Sequence, residues 1–158
     1  MQNLQIEAKL EPIWSTVRNI RKRIREDLAG YPEKLRSATA MVASELLENA
    51  VKYGEAVPEA PTIDFTFTLE NEIFTIVVSN GSSSSQNVDR LMEHIAALQD
   101  AGNGASLYLS RLEALLREPS QTTGLGIYRI GYEGGYNLAC TYTDNVVTVT
   151  ATRSCNAC

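Results

Sequence analysis

Ser44-Glu45-Leu46-Leu47-Glu48-Asn49-Ala50-Val51-Lys52-Tyr53-Gly54 is the stretch on which the reading of this chain turns. It completes a helical pattern that starts near Pro32. Leu35, Ala38, Val42, Leu46, Ala50 and Tyr53 share one stripe, and Gly54 stops the run. With Val42 at zero, helical geometry puts Asn49 at about −20° and Glu45 at about −60°. Asn49 therefore lies inside the apolar stripe and Glu45 at its edge, with Lys52 further out at about −80°. An amide and a carboxylate on the buried side of a helix need partners, either within the core or in a ligand. Together the three residues offer an oxygen for Mg²⁺, a carboxylate for a proton and a cation for phosphate. The plainer alternative is an amphipathic helix with a solvated border, because charged residues usually mark exposed faces.

Upstream, Ile13, Val17, Ile20, Ile24 and Leu28 recur at helical spacing between Pro12 and Gly30. The basic residues Arg18, Arg21, Lys22, Arg23 and Arg25 sit between them and predict a solvated basic face. Downstream, Ile63, Phe65, Phe67 and Leu69 alternate with polar residues, Asn71-Glu72 makes a turn, and Ile73 to Val78 return as a second strand. Asn80 to Ser85 form a polar loop. Helical patterns follow at Val88–Leu98 and Leu107–Leu116, separated by a break at Asp100–Gly104. A flexible loop spans Pro119–Gly126, and a short helix covers Tyr128–Tyr132. Leu138, Cys140 and Tyr142, the turn Asp144-Asn145, and Val147, Val149 and Ala151 read as a last hairpin. Strands joined as hairpins beside long helices predict an α+β, two-layer α/β sandwich. Its sheet should be mixed but mostly antiparallel, with helices on one face.

The 158 residues favour one domain, long enough to bury a core without staples. Residues 1–30 are expected to form an amphipathic helix of that same domain, and 154–158 a tail. With 44% hydrophobic and 21% charged residues, overall disorder is excluded. A net charge of −5 argues against nucleic-acid binding. No apolar run suits a membrane span, and no secretory signal is seen, so a cytoplasmic, reduced protein is expected. The three cysteines do not suggest a disulfide scaffold. Cys155-Asn-Ala-Cys158 has CxxC spacing, but a frayed tail is the simpler reading than a metal or redox pair.

The segment Glu45–Tyr53 resembles the N-box of the GHKL superfamily, which includes sensor histidine kinases and anti-sigma-factor serine kinases. Thr123-Gly124-Leu125-Gly126-Ile127 resembles that superfamily's second glycine box. Val77-Val78-Ser79-Asn80-Gly81 ends a strand where its first glycine box would stand. The three segments occur in the family's order and span roughly residues 33–152. The resemblance implies a Bergerat-like ATP-binding domain over residues 31–153, with ATP and Mg²⁺ as cofactors. By it, Asn49 holds Mg²⁺, Glu45 acts as general base, and Lys52 neutralises phosphate. Thr123, Gly124, Leu125 and Gly126 approach the phosphates, and Ser79, Asn80 and Gly81 line the nucleotide. The family has Asp-x-Gly-x-Gly at the first glycine box. With Gly81 as its first glycine, Ser79 stands at the adenine-binding Asp and accepts a hydrogen bond without charge assistance. A shifted alignment puts Asn80 opposite adenine instead.

A histidine kinase core would need a phosphoacceptor histidine on a dimerisation helix. The single histidine, His94, falls in the segment 87–122 that corresponds to the nucleotide lid. The compact form looks more like the anti-sigma-factor and partner-switching kinases. The resemblance then implies a serine/threonine protein kinase acting on a small STAS-type anti-sigma antagonist in a bacterial partner-switching pathway, and is compatible with a homodimer. The alternative is a nucleotide-independent GHKL-like module that sequesters a regulatory partner.

Overall fold

The computed structural model describes residues 3–101, 109–110, 112–114, 117 and 125–155. Its centre is the hairpin of β2 (Ile63–Glu70) and β3 (Ile73–Gly81). Along β2 every second residue is buried, so Ile63, Phe65, Phe67 and Leu69 face one side. In β3 the matching residues Phe74, Ile76 and Val78 are buried, with Phe67 opposite Ile76. The turn residues Asn71 and Glu72 have φ of 52° and 63°. Two successive positive φ values mark the type I′ turn, whose twist suits a two-residue hairpin. Asp144 and Asn145, with φ of 52° and 62°, close the second hairpin in the same way. That hairpin joins β4 (Asn137–Thr143) to β5 (Val146–Ser154).

The expected helices are α1 (Trp14–Asp27), α2 (Glu33–Tyr53), α3 (Ser85–Ala101) and α4 (Leu125–Tyr132). α4 begins before Gly126, so Gly126 stands in its first turn and not in a loop. Half of the expected helix at Leu107–Leu116 lies outside the described residues, and 109–110 and 112–114 are helical.

The segment 1–30, expected as an amphipathic helix, carries a strand ahead of α1. β1 (Leu4–Leu10) pairs antiparallel with β2 along its whole length, with Ile6 opposite Phe67. Its alternation of Leu4, Ile6, Ala8 and Leu10 with Gln5, Glu7 and Lys9 is a period-two pattern. The sheet order is β1-β2-β3-β5-β4, and every neighbouring pair is antiparallel, without the parallel component that a mixed sheet allows. The helices cover one face. On the other face, Thr66, Thr68, Thr75, Thr148, Thr150 and Thr152 remain half-exposed.

α2 lies in the middle of the helical layer, touching α1, α4 and β3. Ala38, Ala40, Ala43 and Ala50 are buried on it, and these small side chains allow close approach. Phe65, Phe67 and Phe74 are fully buried in the core beneath. Phe67 and Phe74 stack at 5.9 Å, and Tyr31 meets Phe74 edge-on at 6.0 Å. A buried bond of 2.8 Å between Thr39 Oγ1 and the Tyr136 hydroxyl ties α2 to the chain entering β4. Burial pushes the Tyr136 phenol up to about 12.

Of the expected tail at 154–158, only Ser154 and Cys155 are described, with 156–158 outside the described residues. Cys155 is 2% exposed and disulfide-bonded, and its N–H donates to Glu72 O at 2.7 Å. Cys140 is a free thiol whose pKa burial raises to about 11. Phe67→Ala should lower unfolding stability by about 3–5 kcal/mol in urea titration, whereas Thr141→Ala, on the exposed edge strand, should stay within about 0.5 kcal/mol.

Candidate functional site

A cleft opens between α2, the sheet, α3 and the start of α4. Leu46, Asn49, Ala50 and Tyr53 of α2 form one wall, and Val78, Asn80, Val147 and Val149 of the sheet form the floor. Asn87, Val88, Arg90, Leu91 and His94 of α3 stand opposite, with Gly126 and Ile127 at one end. About 830 Å³ of space lies between these residues, the open solvent at its mouth included. The body is apolar and carries a few polar groups, the usual make-up of a small-molecule site.

Asn49 behaves as its helical phase predicts. It is half-buried on the cleft wall, and its side chain makes no hydrogen bond to a described residue. Asn80 reaches the cleft through strand alternation, in line with Phe74, Ile76 and Val78. Its Nδ2 donates to Gly81 O at 3.0 Å. The end of α2 packs tightly here, since a Cβ on Gly54 would lie 2.5 Å from Asn80 Nδ2.

Ser79 does not reach the cleft. One residue earlier in β3, it belongs to the opposite face, where its hydroxyl bonds Thr148 Oγ1 at 2.8 Å. A side-chain period of two forces this, because neighbouring residues in a strand point to opposite faces. Gly81 is buried, and a Cβ there would overlap Glu55 O and stand 2.5 Å from Val57 Cγ2. Its lack of a side chain thus serves the packing of the 55–60 loop. Lys52 is exposed, with Nζ 5.7 Å from the Tyr53 ring centre. Thr123 and Gly124 lie outside the described residues, and Leu125 begins α4. Ser82 is buried, its N–H donates to Asn145 O at 2.8 Å, and its carbonyl accepts from the Tyr142 hydroxyl at 2.6 Å.

Glu45 stands beside the cleft and lines a second cavity on the other flank of α2. Its Oε1 accepts from Arg129 Nη1 at 3.3 Å, and its side chain is 18% exposed. Burial, with Glu48 adding to it, holds the carboxyl above its ordinary range, and Arg129 opposes the shift. Gly126 connects the two spaces. It lines the cleft, and a Cβ on it would overlap Glu45 Oε2.

The sequence reading did not single out Asn87 and Arg90, and it weighed His94 as a phosphoacceptor. All three line the cleft. Their spacing of three and four residues, flanking the apolar stripe of Val88, Leu91 and Ile95, was the available signal. His94 Nδ1 pairs with the Tyr128 hydroxyl at 2.9 Å and meets that ring edge-on at 5.3 Å, joining α3 to α4.

These observations define a class: a two-layer α/β domain with an open, mostly apolar cleft between its layers. The solved structure titled "The crystal structure of the RsbU and RsbW domains of Rv1364c from Mycobacterium tuberculosis" has the same fold, with a TM-score of 0.56 at 15% sequence identity. The match covers 96% of this chain and 32% of that one, so the chain spans about a third of that structure's length. The likeness shows the fold, the two-layer α/β sandwich. No family model matches the chain, and no curated protein matches it. Among the described residues, no helix is long and apolar enough to cross a membrane.

Glu45 titrates in a direction that can be read in stability. A carboxyl whose pKa is raised by folding binds protons more tightly in the native state, so stability falls as pH rises from about 4.5 through the shifted value. Glu45→Gln should flatten this part of the stability-versus-pH curve, measured by thermal melts between acid and neutral pH. An unchanged slope would show that Glu45 is not the group responsible.

Proposed function

We propose that the chain is an ATP-dependent serine/threonine protein kinase of the anti-sigma-factor type. Its substrate would be a small STAS-type regulatory protein in a bacterial partner-switching pathway, for which a cytoplasmic location is the natural setting. The observation that carries the reading is Asn49, an amide on the buried flank of α2, facing an apolar cleft with no described hydrogen-bond partner. A half-buried polar group in that position calls for a ligand. The likeness to a structure containing an RsbW domain supports the same direction.

The residues fit ATP and Mg²⁺ as follows. The side-chain oxygen of Asn49 is a hard ligand suited to Mg²⁺. Val78, Val147 and Val149 offer an apolar bed for a base, and Asn80 supplies polar recognition at its edge. Arg90 brings a cation to the same space. The α4 start at Gly126 can present backbone N–H groups to phosphate. Bound Mg²⁺ would supply charge neutralisation for phosphoryl transfer. In this reading Glu45 assists the attacking hydroxyl, Lys52 lies outside the site, and the contact expected of Ser79 passes to Asn80. The domain covers residues 31–153 with the N-terminal segment attached, and a homodimer is compatible with it.

A second reading has its own support. Glu45 is engaged by Arg129 and does not line the cleft, as it would in a chain that sequesters a regulator without catalysis. Calorimetric titration with ATP, with and without Mg²⁺, separates the two. The kinase reading expects Mg²⁺-dependent binding that Asn49→Ala and Asn80→Ala each weaken about tenfold or more. It also expects phosphate transfer to a STAS protein that Glu45→Gln abolishes. No binding at millimolar nucleotide leaves the sequestering module as the function.

A further inference from the structure

The second cavity lies between α1, α2 and α4, and has about 1560 Å³ of empty space with its open side included. Arg18, Arg21, Lys22, Arg25, Arg36 and Arg129 line it, against the carboxylates Glu26, Glu45 and Glu48. Positive charge is concentrated here in a chain of net charge −5. Some of that charge is already engaged. Glu33 takes Arg25 at 2.6 Å and Arg36 at 3.0 Å, and Arg129 holds Glu45. Lys22 reaches Glu26 at 3.9 Å, a loose and exposed pair. Arg18 and Arg21 make no ion pair with a described residue, and they stand one helical turn apart on the same face of α1. Arg36 Nε is buried without a partner among the described residues.

We propose that this groove docks an acidic segment of a protein partner, with Arg18 and Arg21 as its anchors. The proposal rests on the kinase reading for its purpose: Glu45 belongs to the groove and touches Gly126 at the edge of the cleft. A segment lying in the groove is therefore one side chain away from the nucleotide space, and the substrate class is a hydroxyl-bearing residue flanked by Asp or Glu. The shape and charge favour protein over other polyanions. Three carboxylates in the lining and the acidic net charge repel a nucleic-acid backbone. A concave groove between helices does not lie flat on a bilayer. Spaced carboxylates on a flexible chain can meet the arginines and avoid Glu26 and Glu48.

The test uses the full chain and three fluorescein-labelled peptides of equal length around a central serine, one glutamate-rich, one glutamine-rich and one lysine-rich. Fluorescence anisotropy should show the glutamate peptide binding about tenfold or more tightly than the glutamine peptide, with affinity falling as salt rises. Arg18→Glu/Arg21→Glu should remove that advantage, and Arg18→Gln/Arg21→Gln should reduce it. Both variants change exposed positions, and circular dichroism checks their fold. Equal affinity for the glutamate and glutamine peptides overturns the proposal. So does unchanged affinity in a folded charge-reversal variant, or tighter binding to a DNA duplex or to anionic vesicles. ATP calorimetry on the same samples keeps the two readings apart. Peptide binding without ATP binding retains the groove and overturns the kinase, and ATP binding without peptide binding does the reverse.

Discussion

Helix α2 is held between two demands, and much of the structure follows from how both are met. It must press against the sheet, so its inner face is built from Leu35, Ala38, Val42, Leu46 and Ala50, all buried. It must also carry polar groups to where the layers part. The alanines let it approach α1 and the strands closely, and interior packing leaves little slack for it to rotate. Turning α2 by one residue would swing Asn49 out of the cleft and bring Glu48 toward it. Its position is fixed from both sides. The Arg25–Glu33–Arg36 cluster ties its start to α1, and the Thr39–Tyr136 bond ties its middle to the chain that enters β4.

Once α2 is placed, its two flanks acquire different chemistry. One flank faces β3, β5 and α3 across an apolar cleft with a few amides. The other meets α1 and α4 and forms a charged groove. Gly126 stands where the two spaces join, and its missing side chain lets the Glu45 carboxylate come right up to the boundary. Glu45 is kept in a poorly solvated place, which raises its pKa, while Arg129 limits how far. A carboxylate poised between two cavities can answer to occupants of either, and this links the nucleotide proposal to the docking proposal.

The hairpins show the same economy. Both turns use two residues with positive φ, and Asn or Asp stands in three of those four positions. These residues tolerate the left-handed region better than most, so the turn chemistry agrees with the alternation on either side. The loop after β3 is then secured through Ser82 to the β4–β5 turn, which fixes the mouth of the cleft near Asn80.

The sequence alone determined the elements and one side of the site. Periodicity of two marked β2, β3, β4 and β5, helical periodicity marked α1, α2 and α3, and the phase of α2 put Asn49 among apolar neighbours. β1 carries the same alternation in Leu4–Leu10, but a short edge strand gains its meaning from the partner it pairs with, far along the chain in β2. The tertiary structure alone decided which polar residues meet. Whether Ser79 or Asn80 enters the cleft depends on which face of the sheet the helices cover. Glu45 meets Arg129 because α4 packs against α2, and Arg90 and His94 line the same cleft as Asn49 because α3 packs on β4 and α4. Such contacts bring together residues far apart in the chain, and local periodicity carries no record of that distance.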